Sequence, residues 1–239
     1  MKKTIITIIL IVFIILSFVG CGDIANEDKD IFADGESTTQ ENQKENTENP
    51  DDNTNCISFG TYEQDGNLDN GPEPIQWIPL FEHDGKVLLI SRYILDYKCF
   101  NDTTMASATS WENSSLRKWM NRDFLNSAFS SSEKDRIVVT MVQDYKADNV
   151  LGGTTPDKVF LLSKDQAFSY FASDSARATT STPYAKSQKS YATNSYWLIN
   201  SYSSDLYKYL INSEGKNENN PRVNESEGIR PAIWISKES

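Results

Sequence analysis

The most regular apolar pattern in the chain lies between Trp111 and Phe129. Bulky apolar side chains recur there about one helical turn apart, at Leu116, Trp119, Met120, Phe124 and Leu125, with Ala128 and Phe129 at the end. This spacing predicts an amphipathic helix with one face in the core. Ser114 stands at its start, where a hydroxyl can accept a hydrogen bond from an unpaired backbone N–H.

A second helix is predicted to begin after Ser163. Gln166 follows three residues later and completes the pattern of a capping box, in which each side chain bonds the backbone of the other residue. The helix then turns a second set of apolar residues toward the core: Ala167, Phe168, Tyr170 and Phe171.

Short alternating or continuous apolar segments predict the strands: 57–62, 75–80, 86–90, 158–162, 196–199, 207–211 and 229–235. Asp84-Gly85 is typical of a tight hairpin turn. Pro231 cannot donate to a ladder, so the last strand is expected at a sheet edge or bulged there. The polar segments are predicted loops: 144–156, 173–195 and 212–228. Since strands and helices do not alternate regularly, we predict an α+β fold with mainly antiparallel sheets and two main helices.

The first 21 residues have the pattern of a secretory signal. Lys2 and Lys3 precede an apolar run that starts at Ile5 and is shorter than the roughly 20 residues of a comfortable membrane span. The end of this run, Val19-Gly20-Cys21, is similar to a bacterial lipobox, in which Cys21 becomes the lipidated first residue. An uncleaved N-terminal anchor is the alternative. Both place the rest of the chain outside the cytoplasm and hold it at a membrane.

Residues 22–55 differ sharply in composition from the rest. Between Asp23 and Asp52 there are 11 acidic residues against two lysines, and the whole chain has a net charge of −11. So few apolar side chains cannot offset the entropy of ordering, and we predict a disordered acidic linker. Its charge also argues against nucleic acid as a partner. Residues 56–239 are then long enough for one globular domain with a sizeable core.

Six sequence blocks occur in order along this domain: F-G-T-Y (59–62), L-L-I-S (88–91), W-E-N-S-S-L-R-K-W-M-N (111–121), D-K-V-F-L-L-S (157–163), Y-W-L (196–198) and G-I-R-P-A-I-W-I (228–235). As a set they resemble an uncharacterised bacterial family of extracytoplasmic domains of unknown function. The order of elements is similar to that of the C-type-lectin-like fold. This resemblance implies no catalytic residues. Ile199-Asn200 stands where the family usually has Arg-Ser, so an expected arginine is missing.

Residues suited to catalysis or metal binding are scarce. His83, the only histidine, lies in a predicted turn, which is a poor place for a catalytic triad or a metal cluster. Residues 65–71 are faintly similar to a calcium loop but are not followed by a glutamate at the twelfth position, which favours an ordinary polar turn. We therefore predict no metal and no cofactor. Cys56 and Cys99 are candidates for a disulfide outside the cytoplasm.

The chain contains more residues suited to ligand binding than to catalysis or metal binding, because aromatic rings with amide and guanidinium neighbours can bind sugars and peptides. The candidates are Tyr196, Trp197, Asn200, Arg230, Arg117 and Arg177. For each of them, core packing or a structural ion pair is the alternative role.

We therefore expect a lipid-anchored protein on the extracytoplasmic face of the cell membrane. Its domain is expected to be a non-catalytic module that binds a wall glycan, another cell-wall polymer or a surface protein. The alternatives are an extracytoplasmic hydrolase acting on the same polymers and a purely structural spacer.

Overall fold

The computed structural model describes residues 56–237, except for the side chains of residues 219 and 220. The predicted signal, Cys21 and the predicted acidic linker lie outside the described residues. None of the helices within 56–237 has the length and apolar character needed to cross a bilayer.

Twelve strands form three sheets in the described part of the chain. In chain order they are β1 (Ile57–Tyr62), β2 (Glu73–His83), β3 (Lys86–Ser91), β4 (Asp96–Cys99), β5 (Thr140–Tyr145), β6 (Leu151–Asp157), β7 (Val159–Phe160), β8 (Tyr196–Ser201), β9 (Tyr207–Ile211), β10 (Asn217–Arg222), β11 (Ser226–Ile229) and β12 (Ala232–Ser236). The first sheet has the order β1-β2-β3-β12-β7, the second β10-β9-β8-β11-β4, and β5 pairs with β6 alone. The pairing is antiparallel except between β8 and β11.

The helices are short. They are α1 (Ser115–Trp119), α2 (Leu125–Ala128), α3 (Ser131–Arg136), α4 (Lys164–Tyr170), α5 (Asp174–Arg177) and α6 (Pro183–Ser187). A π-helical segment, Met120–Phe124, joins α1 to α2, so Ser115 to Ala128 runs as one helix. This helix and α4 correspond to the two predicted main helices, and the α+β class with mainly antiparallel sheets is confirmed.

The π segment has a reason in the sequence. The buried side chains of this helix, Leu116, Met120, Phe124 and Ala128, are spaced by four residues, and each is at most 1% exposed. On a regular α-helix each step of four residues rotates the side chain by about 40°, so the set would drift off one face. A turn with more residues corrects the drift. Trp119 and Leu125, predicted on the same face, lie half-buried beside it.

The predicted helix starts are confirmed. Ser114 Oγ accepts from the Arg117 backbone N–H at 3.1 Å. At α4, Ser163 Oγ accepts from Gln166 N, and Gln166 Oε1 accepts from Ser163 N.

Two of the predicted loops contain strands. Residues 144–156 belong largely to the hairpin of β5 and β6, and 212–228 contains β10 and most of β11. Their glycine, asparagine and glutamate content lacks the β-branched signal of a strand, and backbone pairing decides the structure instead. The predicted loop 173–195 holds α5 and α6, and the predicted strand 158–162 is reduced to β7.

The predicted last strand, 229–235, is broken at Arg230-Pro231. β11 pairs with β4 and β8 in the second sheet, whereas β12 pairs with β3 and β7 in the first. Of the two alternatives expected from Pro231, the edge position is wrong because β12 is an inner strand, and in place of a bulge the strand is interrupted at Pro231, in the crossing between sheets. Its carbonyl accepts from Ser91 N at 2.9 Å.

Three tryptophans anchor the core, each at most 1% exposed and each with its indole N–H bonded. Trp77 donates to Phe59 O and Trp197 to Lys98 O. Trp111 donates to Asp157 Oδ2 at 2.9 Å. Buried indole groups need such partners, which explains why the carboxylate of Asp157 lies inside the domain.

Candidate functional site

Arg230 occupies the crossing between the two sheets and is 1% exposed. Its Nε donates to Ser91 O at 2.9 Å, and its Nη1 donates to Arg177 O at 2.9 Å and to Tyr196 Oη at 3.2 Å. Nη2 donates to Arg92 O at 3.5 Å. A guanidinium has five N–H donors, so within the described residues one N–H of Nη2 is left for a ligand.

Tyr196 and Arg177 hold this guanidinium in place. The Tyr196 ring centroid lies 5.1 Å from Arg230 Cζ, and the Tyr196 hydroxyl donates to Arg177 O at 3.0 Å. Burial raises the pKa of Tyr196, so its hydroxyl stays a donor at physiological pH. Arg177 Nε donates to Gly215 O, and its guanidinium stacks over Phe168 at 4.0 Å.

Gly215 is required for this arrangement. It has a φ of +77°, and a Cβ there would lie 1.7 Å from Asp174 O. Only glycine permits the loop before β10 to approach α5 so closely, which brings the Gly215 carbonyl to Arg177.

A cleft of about 340 Å³ opens over Arg230, and we call it the arginine cleft. Arg92 and Tyr93 form one wall, with Arg92 Cζ 5.4 Å from the centroid of the Tyr93 ring. Phe171 and the hydroxyls of Ser175 and Thr179 contribute the rest of the polar and aromatic lining. Among the described residues, those that line the cleft are not acidic. The cleft therefore brings two guanidinium groups together, those of Arg92 and Arg230.

The six sequence-predicted binding residues are only partly brought together. Arg230 lines the arginine cleft, whereas Tyr196 and Arg177 are buried beneath it, 1% and 5% exposed, and hold Arg230 through hydrogen bonds. The other three, Trp197, Asn200 and Arg117, lie outside the cleft and make hydrogen bonds or ion pairs elsewhere in the fold.

Asn200 and Arg117 have structural partners. Asn200 Oδ1 accepts from Lys164 N at 2.7 Å, which satisfies a backbone donor in the first turn of α4. Arg117 Nε lies 2.7 Å from Asp157 Oδ1 and neutralises that buried carboxylate. Ile199, at the position of the family's usual arginine, is 1% exposed and packs in the core. These contacts give Asn200, Arg117 and Ile199 structural roles in the fold.

Cys56 and Cys99 are not joined to each other. Cys99 Sγ donates to Asn224 O at 3.1 Å, and burial raises the pKa of its thiol. Cys56 Sγ accepts from Arg92 Nη1 at 3.8 Å, beside the arginine cleft.

The loop 65–71, which is faintly similar to a calcium loop, lies beside three carboxylates that are close to one another, those of Glu63, Asp65 and Glu73. They serve the loop itself: Glu73 Oε2 accepts from Gln64 N, and Glu63 Oε1 accepts from Gly66 N. Asp65 Oδ1 accepts from Asn67 N in the same way. These bonds are those of the polar turn that the sequence predicts. His83, predicted in the turn, is instead the exposed last residue of β2, with its Nε2 3.2 Å from Asp84 Oδ2.

A charged cluster that is not among the predicted sites is formed by the buried Lys208 and Asp144 and the half-buried Asp205. Lys208 is 0% exposed and donates to Ser201 Oγ at 2.9 Å. Ser201 in turn donates to Asp205 Oδ1 at 2.6 Å. The sequence does indicate the burial of Lys208. Side chains two residues apart in a strand lie on the same face, so the face of β9 that buries Leu210 also buries Lys208.

Comparison with known proteins gives a family and no function. No curated protein and no solved structure matches the chain significantly. Residues 84–237, well over half of the chain, match a family described as a domain of unknown function. This match includes nearly all of the arginine cleft. The chain therefore belongs to the family of this domain, DUF6273.

Proposed function

We propose that this protein is a lipid-anchored, extracytoplasmic binding module whose arginine cleft holds an anionic group of a cell-wall polymer. The observation that carries the proposal is the convergence of the Arg92 and Arg230 guanidinium groups on one cleft, beside the aromatic rings of Tyr93 and Phe171. A C-type-lectin-like fold for the domain is part of the same proposal and rests on the order of its elements.

The chemistry of the cleft favours phosphate or carboxylate. Guanidinium groups bind both through short, charge-assisted hydrogen bonds, and two of them facing one cleft attract an anion with little reorganisation. Arg230 is held by four hydrogen bonds before any ligand arrives, so little entropy is lost when it binds. The hydroxyl of Ser175 can add a neutral hydrogen bond to the same anion, whereas that of Thr179 already donates to Arg92 O at 2.6 Å.

Arg92→Ala is the variant that tests this function. Arg92 is half-buried at the wall of the cleft, and its removal leaves the Arg230 network in place. We expect the full chain, in detergent micelles, to lose about tenfold or more of its affinity for isolated bacterial walls that retain their phosphodiester polymers. Binding to the same walls stripped of those polymers should be weak for the wild type as well.

Arg122→Ala is the matched control, since it removes one positive charge from an exposed pair with Asp123. It should bind like the wild type. Equal binding by Arg92→Ala and the wild type, with native circular dichroism for both, would refute the arginine cleft as the site. Equal binding to intact and stripped walls would refute an anionic polymer as the ligand.

Cys21→Ser tests the anchor separately. If Cys21 carries the lipid, the variant accumulates as an uncleaved precursor or is released to the medium without detergent, because the modified residue is lost. Cell fractionation measures where the variant is located, and mass spectrometry of the N-terminal peptide shows whether it has been cleaved and modified. A membrane-bound variant with the same mature mass as the wild type, apart from the substitution, contradicts the lipobox.

A further inference from the structure

A second cleft, of about 330 Å³, lies beside the half-buried Trp119. Lys98 and Cys99 of β4 form one side, Ser115 and Trp119 of α1 form another, and Ser226 of β11 closes it. We call it the Trp119 cleft. It shares no lining residue with the arginine cleft, so it is a separate site.

The indole of Trp119 presents a face to polar groups, unlike the fully buried rings of Trp77, Trp111 and Trp197. Lys98 Nζ lies 4.5 Å from its ring centroid. The same ammonium is 3.2 Å from Asp96 Oδ2. Lys98 therefore keeps its ion pair with Asp96 when a ligand displaces the ammonium from the face of the Trp119 ring. The π face that attracts an ammonium also attracts the polarised C–H groups of a sugar ring.

Polar groups flank this aromatic face in fixed positions. The backbone N–H of Asp102 donates to Ser115 Oγ at 2.7 Å, and Ser115 N donates to Asn101 Oδ1 at 3.2 Å. These two bonds tie the segment that carries Asp102 to the start of the helix. The exposed carboxylate of Asp102 thus lines the same cleft as Trp119.

Charge and reactivity narrow the ligand class. Lys98 and Asp102 have opposite charges, so the walls of the Trp119 cleft carry no net charge and favour a neutral ligand. Cys99 donates its S–H to Asn224 O, and burial followed by the charge of Asp102 raises the pKa of its thiol. A protonated, hydrogen-bonded thiol is a poor nucleophile, which favours reversible binding over covalent chemistry.

We propose that the Trp119 cleft binds a pyranose ring of a neutral glycan. The ring stacks on Trp119, Asp102 accepts hydrogen bonds from its hydroxyls, and Lys98 and Ser226 donate to its oxygens. The volume of the cleft is at the lower end of the range for small-ligand sites, which suits one or two sugar rings. This site does not depend on the function proposed for the arginine cleft.

The test is a titration followed by ¹⁹F NMR of the full chain labelled with 5-fluorotryptophan, in a detergent without a sugar headgroup. The probes are a linear N-acetylglucosamine trisaccharide and maltotriose. Trp119→Phe identifies the resonance of Trp119, and Trp234, also half-buried, supplies an internal control. We expect one of the sugars to shift the Trp119 resonance in a saturable way and to leave the Trp234 resonance unchanged.

Asp102→Asn is the second variant, because the Asp102 side chain is exposed and the substitution preserves its shape. It should weaken the sugar affinity about tenfold while the melting temperature stays the same. Arg92→Ala should bind the sugar like the wild type, which separates this site from the arginine cleft. No shift at Trp119 with either sugar at millimolar concentration, or wild-type affinity in Asp102→Asn, would overturn the proposal.

Discussion

Arg230→Ala is expected to lower the free energy of unfolding by about 3–5 kcal/mol. The substitution removes a buried donor from three carbonyl oxygens, those of Ser91, Arg177 and Arg92, and the last two keep another donor. It also leaves a cavity between the rings of Tyr196 and Phe171. Urea denaturation followed by tryptophan fluorescence measures the change.

Arg230→Lys should recover little of this loss. An ammonium on a flexible stem has no planar fork and cannot reach the carbonyls on both sides of the crossing at once. Arg122→Ala is the control, because its pair with Asp123 is on the surface, and it should shift stability by no more than about 0.5 kcal/mol. A loss below about 1 kcal/mol for Arg230→Ala would show that the crossing is hydrated and that Arg230 is not structural. Since Arg230 supports the fold, Arg92 is the better residue for binding tests.

Lys208→Met is expected to destabilise the domain by about 1–3 kcal/mol, because it removes the hydrogen bond to Ser201 and the cation near Asp144. Methionine has nearly the same length, and it also removes the cost of burying an ammonium, which offsets part of this loss. The charges of Asp144 and Asp205 favour the ammonium of Lys208, which lies 4.4 Å from the centroid of the Phe100 ring. Without the ammonium, the buried Asp144 is an uncompensated carboxylate whose Oδ1 has no hydrogen-bond partner within the described residues.

Asp144→Asn in the same chain should restore part of the stability, because it removes the charge that Lys208 balances. The double-mutant cycle then gives a coupling energy between the two residues. Lys216→Met is the matched control, since Lys216 is exposed and pairs only with the neighbouring Glu214. Additive effects of Lys208→Met and Asp144→Asn would contradict an energetic coupling between these two buried residues.

The same cluster predicts a pH dependence. Burial lowers the pKa of Lys208 from 10.5 to about 8, against the opposing influence of Asp144 and Asp205. Between these two values the unfolded chain binds more protons than the folded one, so the contribution of Lys208 to stability rises with pH across this window. Burial raises the pKa of Asp144, which acts in the opposite sense at acidic pH. Lys208→Met should flatten the alkaline slope of a urea midpoint measured against pH.

Local rules predicted the two main helices well. Ser114 and Ser163 were identified as caps from a serine and the spacing of its neighbours, because capping involves only residues within one turn. The period of the apolar side chains also predicted most strands, since alternation depends on the strand itself. The spacing of four in the main helix was present in the sequence, but its structural consequence, the π segment, follows only when all four side chains must face the same core.

The roles of the motif residues could not be predicted in the same way. Arg117, Asn200 and Arg230 look like binding residues because charged and amide side chains are usually exposed. Their partners are a carboxylate 40 residues away, the backbone of another helix and three carbonyls from distant segments. Such contacts depend on how the sheets cross, and one sequence contains no direct signal for a crossing.

The sequence by itself determined the α+β class, the starts of the helices, most of the strands and the family resemblance, because each depends on short-range periodicity or on ordered blocks. Only the tertiary structure decided that Pro231 marks a crossing between two sheets, that Arg230 and Lys208 are buried, and that Arg92 and Trp119 each line a cleft. The physical reason is that burial and charge pairing arise between residues far apart in the chain, so the free energy of one side chain is set by neighbours that its own segment does not specify.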